Sequence, residues 1–149
     1  LLGAGRPAEA AQLEQQGLRA SASMGAVLAA LVWLGRDLIT GWYTHDATVV
    51  HMTAGLLVWV ALYHLADSIQ CYCIFVLRSF RITLLPLITY CTLLWGIGLG
   101  GGYALAYGLP LQGIAATNPT LFWACSAAAL ALTACIFVAL LHKQLRQTR

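Results

Sequence analysis

The sequence predicts an all-α protein, a polytopic membrane helix bundle with four transmembrane helices. The first ground is composition: 60% of the 149 residues are hydrophobic and 9% are charged, against about 45–50% and about 25% in an ordinary soluble domain. The second is the spacing of the charges. No formal charge occurs over the 61 residues from Ile82 to His142, over the 20 from Ala47 to Ala66, or over the 16 from Ala20 to Gly35. A helix crosses about 30 Å of hydrocarbon with roughly 20 mainly apolar residues, and helices satisfy their own backbone polar groups in lipid. The third is where the basic residues fall, described below. Intrinsic disorder is excluded by the hydrophobicity. A net charge of +3, with most of the chain free of basic residues, speaks against nucleic acid as a partner.

The elements follow in order. Residues 1–17 read as a cytoplasmic loop with a surface helix, because Pro7 to Gln16 is a polar stretch opening on a proline suited to a first helical turn. The start at Leu1-Leu2-Gly3, without Met, reads as a cut just after an earlier span, and the arrangement is not that of a secretory signal. Residues 18–149 form the four-span bundle. The first span runs from about Leu18 to Ile39, with Arg19 at one end and Arg36 and Asp37 at the other able to reach the interfaces. The second runs from about Ala47 to Leu77, capped by Asp46 and long enough to require tilt or protrusion. The third runs from about Thr83 to Tyr107. Gly108 to Pro119 is a loop by its glycine and proline content, and the fourth span starts with Asn118 as N-cap and ends near Leu141.

The basic residues set the orientation. Arg6 and Arg19 precede the first span, Arg78 and Arg81 separate the second from the third, and Lys143, Arg146 and Arg149 follow the fourth. With the N-terminus inside, four spans put all seven on the cytoplasmic side and both ends of the segment in the cytoplasm. Arg36 alone falls near the outer face, beside Asp37, which can neutralise it.

Asp67 is the residue that needs explaining, since it lies well inside the second span. An ionisable group there costs about 2.5–3.5 kcal/mol on insertion scales and should face protein or water. Tyr63, His64, Gln70 and Cys71 lie three or four residues from it, so they share its helical face. This polar stripe suits a proton or a hard cation held by oxygens. Burial would push the carboxyl toward its protonated form and a bound cation would oppose that, a competition on which ion-coupled antiport can run. A carboxyl kept neutral or paired for packing, and a histidine hydrogen-bonded within the bundle, are the plainer readings.

No metal or other cofactor is expected. His51 and His64 face different sides of one helix, and the last two spans hold no histidine before His142. The five cysteines, Cys73, Cys91, Cys125 and Cys135 inside spans and Cys71 beside the stripe, read as small buried hydrophobes. The third span carries Gly96, Gly98, Gly100, Gly101 and Gly102, in which Gly96–Gly100 and Gly98–Gly102 have GxxxG spacing. These glycines predict a close packing face, a bend that could gate, or both. No nucleophile–base pair, phosphate loop or metal signature argues for an enzyme.

At these residues the sequence resembles the multidrug and toxin extrusion (MATE) family, in its NorM-like branch. The likeness lies in Leu2-Gly3-Ala4-Gly5-Arg6-Pro7-Ala8-Glu9-Ala10, similar to the loop after the family's eighth helix. It continues in Tyr63-His64-Leu65-Ala66-Asp67-Ser68-Ile69-Gln70, similar to its tenth-helix pattern, and in Leu77-Arg78 through Thr83 and Pro86. It ends in Trp95 to Tyr103 and in Phe122-Trp123, which resemble its eleventh helix and the opening of its last. Ser79, Ile82, Leu84, Gly100 and Cys125 depart from the family's pattern. The resemblance implies that the four spans are helices nine to twelve of a twelve-helix, two-lobed transporter of the bacterial inner membrane, whose other eight helices are partners of this segment. It also implies a secondary active antiporter that exports amphipathic organic cations against protons or sodium, with Asp67 as a coupling carboxylate and Tyr63 beside it. Besides lipid, those cations are its expected small-molecule partners. Two rivals stand beside this: a flippase for a lipid-linked precursor, which a basic cavity would favour, and a non-transporting four-helix membrane subunit.

Overall fold

The computed structural model describes residues 7–108 and 118–147. Among them every regular element is helical: α1 (Pro7–Leu34), α2 (Arg36–Tyr43), α3 (Ala47–Ser79), α4 (Leu84–Cys91), a π-helical segment (Thr92–Gly101), α5 (Gly102–Tyr107) and α6 (Pro119–Gln147). Four helical runs are long and apolar enough to cross a membrane: α1, α3, the composite run 84–107, and α6. The protein is thus a bundle of membrane helices.

The helix starts are set by local chemistry. Asp46 Oδ1 accepts from the backbone N–H of Thr48 at 2.8 Å and of Val49 at 3.3 Å, which satisfies two donors that α3 leaves open. Asn118 Oδ1 accepts from the N–H of Thr120 at 3.1 Å and opens α6 at Pro119. The ends differ from expectation. The polar segment from Pro7 and the first apolar run are one uninterrupted helix, which stops at Leu34; Gly35 then turns the chain and the short α2 follows. α6 continues past Leu141 to Gln147, because nothing from Leu141 to Gln147 breaks a helix. Most of the predicted loop 108–119, with Arg6 and Arg149, lies outside the described residues.

The α3–α4 connection is a Schellman turn. The N–H of Ile82 donates to Leu77 O at 3.1 Å and that of Arg81 to Arg78 O at 2.9 Å, and Arg81 takes the left-handed conformation, φ 62°. Leu77 is fully buried and Ile82 packs on the same cluster, the apolar contact that accompanies this motif.

In lipid there is no hydrophobic drive between helices, so close approach of small residues matters most. On α1 these are Gly17, Ser21 and Gly25, four residues apart, and they meet α3. Ser21 Oγ donates to Ser68 O at 2.7 Å, and Tyr72 Oη donates to Glu14 O at 3.0 Å. A Cβ on Gly17 would sit 2.6 Å from Tyr72 Cζ, and one on Gly25 2.8 Å from Ser68 Cβ. The helices run antiparallel, residue 14 lying by 72 and residue 21 by 68. Gly17→Ala is expected to dislodge the Tyr72 ring and its hydrogen bond, costing about 1–3 kcal/mol; thermal unfolding in detergent measures it.

α6 is the hub. It packs on α3, α4, the π-helical segment and α5. Phe137, Leu141 and Leu145 of α6 close over Cys73 and Leu77 of α3. Its hydroxyls bond within the helix, Ser126 Oγ to Phe122 O at 3.0 Å and Thr133 Oγ1 to Ala129 O at 2.8 Å. The cysteine expectation needs correction. Cys73 is buried, but Cys91 and Cys135 are exposed on the bundle's surface, because an apolar helix carries no sequence mark of which side meets protein.

Candidate functional site

The site is built on one face of α3, midway along its 33 residues. Asp67 is half-buried and Gln70, one turn on, is buried. Gln70 Nε2 donates to Asp67 Oδ1 at 3.0 Å, which fixes the carboxyl against the helix. The other end of the amide is unused: Gln70 Oε1 is shut from solvent without a hydrogen-bond partner among the described residues. A buried acceptor left open costs free energy unless something donates to it or a cation sits on it.

Tyr63 stands one turn before Asp67. Its ring meets that of His64 edge to face, with centroids 6.4 Å apart. The predicted stripe is therefore brought together in part: Asp67 and Gln70 are bonded, and Tyr63 lies one turn away on the same face of α3. His64 spends its ring contact on Tyr63, and its carbonyl accepts from Ser68 Oγ at 2.9 Å.

Tyr90 is the residue that sequence reasoning missed. It belongs to another helix, and only the turn through Arg81 returns the chain so that Tyr90 packs against the cluster of Cys73 and Leu77 on α3. Its signal was a phenol within an apolar span. Asp67 and Gln70 supply the hard oxygens that the structure brings together here, of the kind that suits a proton or an alkali cation. Among the described residues no three His, Cys, Asp or Glu side chains converge on one point.

The glycines of the third span divide into two sets. Gly98 and Gly102 face α6: a Cβ at Gly98 would lie 3.3 Å from Ala129 Cβ, and one at Gly102 3.2 Å from Phe122 O and 3.3 Å from Cys125 Cβ. A Cβ at Gly96 would meet nothing within 4 Å, and at Gly100 only the carbonyl of Trp95 at 3.3 Å. One GxxxG pair is thus a packing face and the other lies free of neighbours within the described bundle. The same stretch widens into a π-helix of ten residues. π turns are uncommon and gather at functional positions; here Gly102 N–H reaches back to Ile97 O, five residues away. The glycine backbone, without Cβ atoms to crowd the wider turn, accommodates it.

The ends of the bundle differ in charge. Arg78, Arg81, Lys143 and Arg146 lie at or just beyond the C-terminal ends of α3 and α6, which lie side by side. At the opposite end Arg36 pairs with Asp37 at 3.9 Å and stacks over Trp33 at 5.6 Å.

Comparison with known proteins adds the following. The family model described as MatE matches residues 1–104. A probable multidrug resistance protein NorM of Aromatoleum aromaticum is 29% identical over 147 residues, 97% of this chain and 31% of that protein. The multidrug resistance protein PmpM of Pseudomonas aeruginosa is 35% identical over 104 residues, 70% of this chain and 22% of that protein. A probable NorM of Neisseria meningitidis serogroup A is 32% identical over 103 residues, 69% of this chain and 22% of that protein. The chain spans less than a third of the length of these relatives. No solved structure matches it.

Proposed function

This chain belongs to the MatE family of multidrug transporters, and on that premise we propose that it supplies helices nine to twelve of an ion-coupled efflux antiporter. The family is one of transporters and not enzymes, and the chain is a multi-pass membrane protein. In this reading the antiporter sits in a bacterial inner membrane, with the end bearing Arg78, Arg81, Lys143 and Arg146 in the cytoplasm. Its cargo is amphipathic organic cations, and its coupling ion is a proton or sodium.

The observation that supports this best is the Asp67–Gln70 pair with its unfilled acceptor. A carboxylate held by one amide hydrogen bond, next to a buried oxygen with nothing to accept from, is poised for an ion. When the ion binds, the cost of the intramembrane charge is relieved and the conformation that buries Asp67 gains population; when it leaves, the other conformation gains. Only a difference in ion affinity between the two conformations can drive the change. The π-helical glycine stretch beside α6 is the element able to deform between them.

The test is transport by the full-length protein in proteoliposomes with ethidium as cargo. An imposed proton or sodium gradient is expected to drive ethidium against its own gradient, and collapse of the ion gradient to stop it. Movement that ignores both gradients would overturn the antiport reading.

A further inference from the structure

A second ionisable group is more deeply enclosed than Asp67. Glu14, in the polar first turns of α1, is only 5% exposed, and neither of its carboxyl oxygens has a hydrogen-bond partner among the described residues. It lines a cavity of about 300 Å³ with Ala11, Gln15, His142, Leu145 and Arg146, between the start of α1 and the end of α6. An ionised carboxylate shut away from water without a donor is strongly disfavoured, and the neutral acid avoids most of that cost.

We propose that Glu14 is a proton-binding site, separate from Asp67, which keeps its proton to higher pH than an ordinary carboxyl and exchanges it through the cavity shared with His142 and Arg146. Among the described residues, the following groups face it. From α3 come Tyr72, whose hydroxyl is committed to the Glu14 backbone carbonyl at 3.0 Å, and the buried Cys73 thiol, which is within electrostatic reach. From α6 come His142, also within electrostatic reach, and Arg146 across the cavity. Gln15 of α1 lines the same space. Tyr72 and Cys73 give the carboxylate nothing, whereas His142 and Arg146 can stabilise it. Deprotonation therefore requires the side chain to turn into the cavity, where the proton passes from the carboxyl oxygen to water and the resulting anion meets the two basic side chains of α6. Asp67 is bonded instead to Gln70 of its own helix. Along α3, Tyr72 is five residues beyond Asp67, or about 7.5 Å.

The experiment is an infrared titration of the full-length protein in detergent, following the C=O stretch of protonated carboxyls from about pH 5 to about pH 9. A component of the band that outlasts the ordinary carboxylate range in the native protein, kept in Asp67→Asn and lost in Glu14→Gln, is the expected result. His142→Gln, which keeps the carboxyl and removes one basic neighbour, is expected to move the loss of the band to higher pH. Stability gives a second readout. A carboxyl protonated in the folded protein and ionised in the unfolded chain means that the unfolded state binds fewer protons. Native stability should then fall relative to Glu14→Gln as pH rises above the ordinary carboxylate range. Absence of that component above the ordinary carboxylate range, its survival in Glu14→Gln, or its indifference to His142→Gln would overturn the proposal. None of these readouts involves transport, so their failure would leave the reading of Asp67 standing.

Discussion

Asp67→Asn in the full-length protein is expected to reduce gradient-driven efflux to the level of membranes lacking the transporter, with normal abundance in the membrane. Asn keeps the shape of the side chain, and its carbonyl oxygen can still accept from Gln70 Nε2, the bond that measures 3.0 Å in the native chain. What it removes is the charge and the ability to titrate. Insertion should be no worse, since a carboxylate at this depth costs about 2.5–3.5 kcal/mol that the amide does not. Dye efflux from energised cells, with immunoblotting of the membrane fraction, checks both halves. Native efflux in the variant would remove Asp67 from the mechanism.

The second large effect is expected where the third span meets α6. Leu at Gly98 or Gly102 must displace atoms already in contact: Ala129 Cβ at 3.3 Å in one case, the Phe122 carbonyl at 3.2 Å in the other. The Phe122 carbonyl is backbone and cannot swing aside. Overpacking of this kind costs about 1–3 kcal/mol per site, more than the roughly 1 kcal/mol that Leu gains over Gly in helix propensity. The double variant is expected to lose folded yield. Gly96→Leu is the internal control, since its side chain would meet nothing within 4 Å in this bundle. It should show no loss in a thermal-unfolding series where the other two do.

Much of this was legible in the chain. The charge gaps located the helices, and Asp46 and Asn118 announced two starts, because capping is a local matter of one side chain and the next two or three N–H groups. The Asp67 stripe was visible too, since residues three and four apart on one helix need no tertiary knowledge to be neighbours. What needed a second helix was not legible. Tyr90 reaches the cluster of Cys73 and Leu77 only through the register set by a turn in which Arg81, and no glycine, adopts positive φ. The two GxxxG pairs are identical as patterns, and only the position of α6 tells the packed one from the free one. Glu14 sits in a segment whose glutamines and glutamates describe a wet surface, yet the ends of α3 and α6 enclose it. Cys91 and Cys135 expose the same limit in reverse: among uniformly apolar residues, no periodic signal marks the side that faces lipid.

The central place of α6 has a consequence for how such a chain is made. α6 is synthesised after every helix it packs against, so the surfaces around Leu77, Gly98 and Gly102 must wait in the bilayer or the translocon until residues 119–147 emerge from the ribosome. Before that moment the earlier helices hold one another chiefly through the α1–α3 contacts at Gly17, Ser21 and Gly25. A nascent chain stalled ahead of Pro119 would present open glycine faces and an unfilled apolar seat, features that membrane quality-control proteases can use to tell an unfinished product from a finished one.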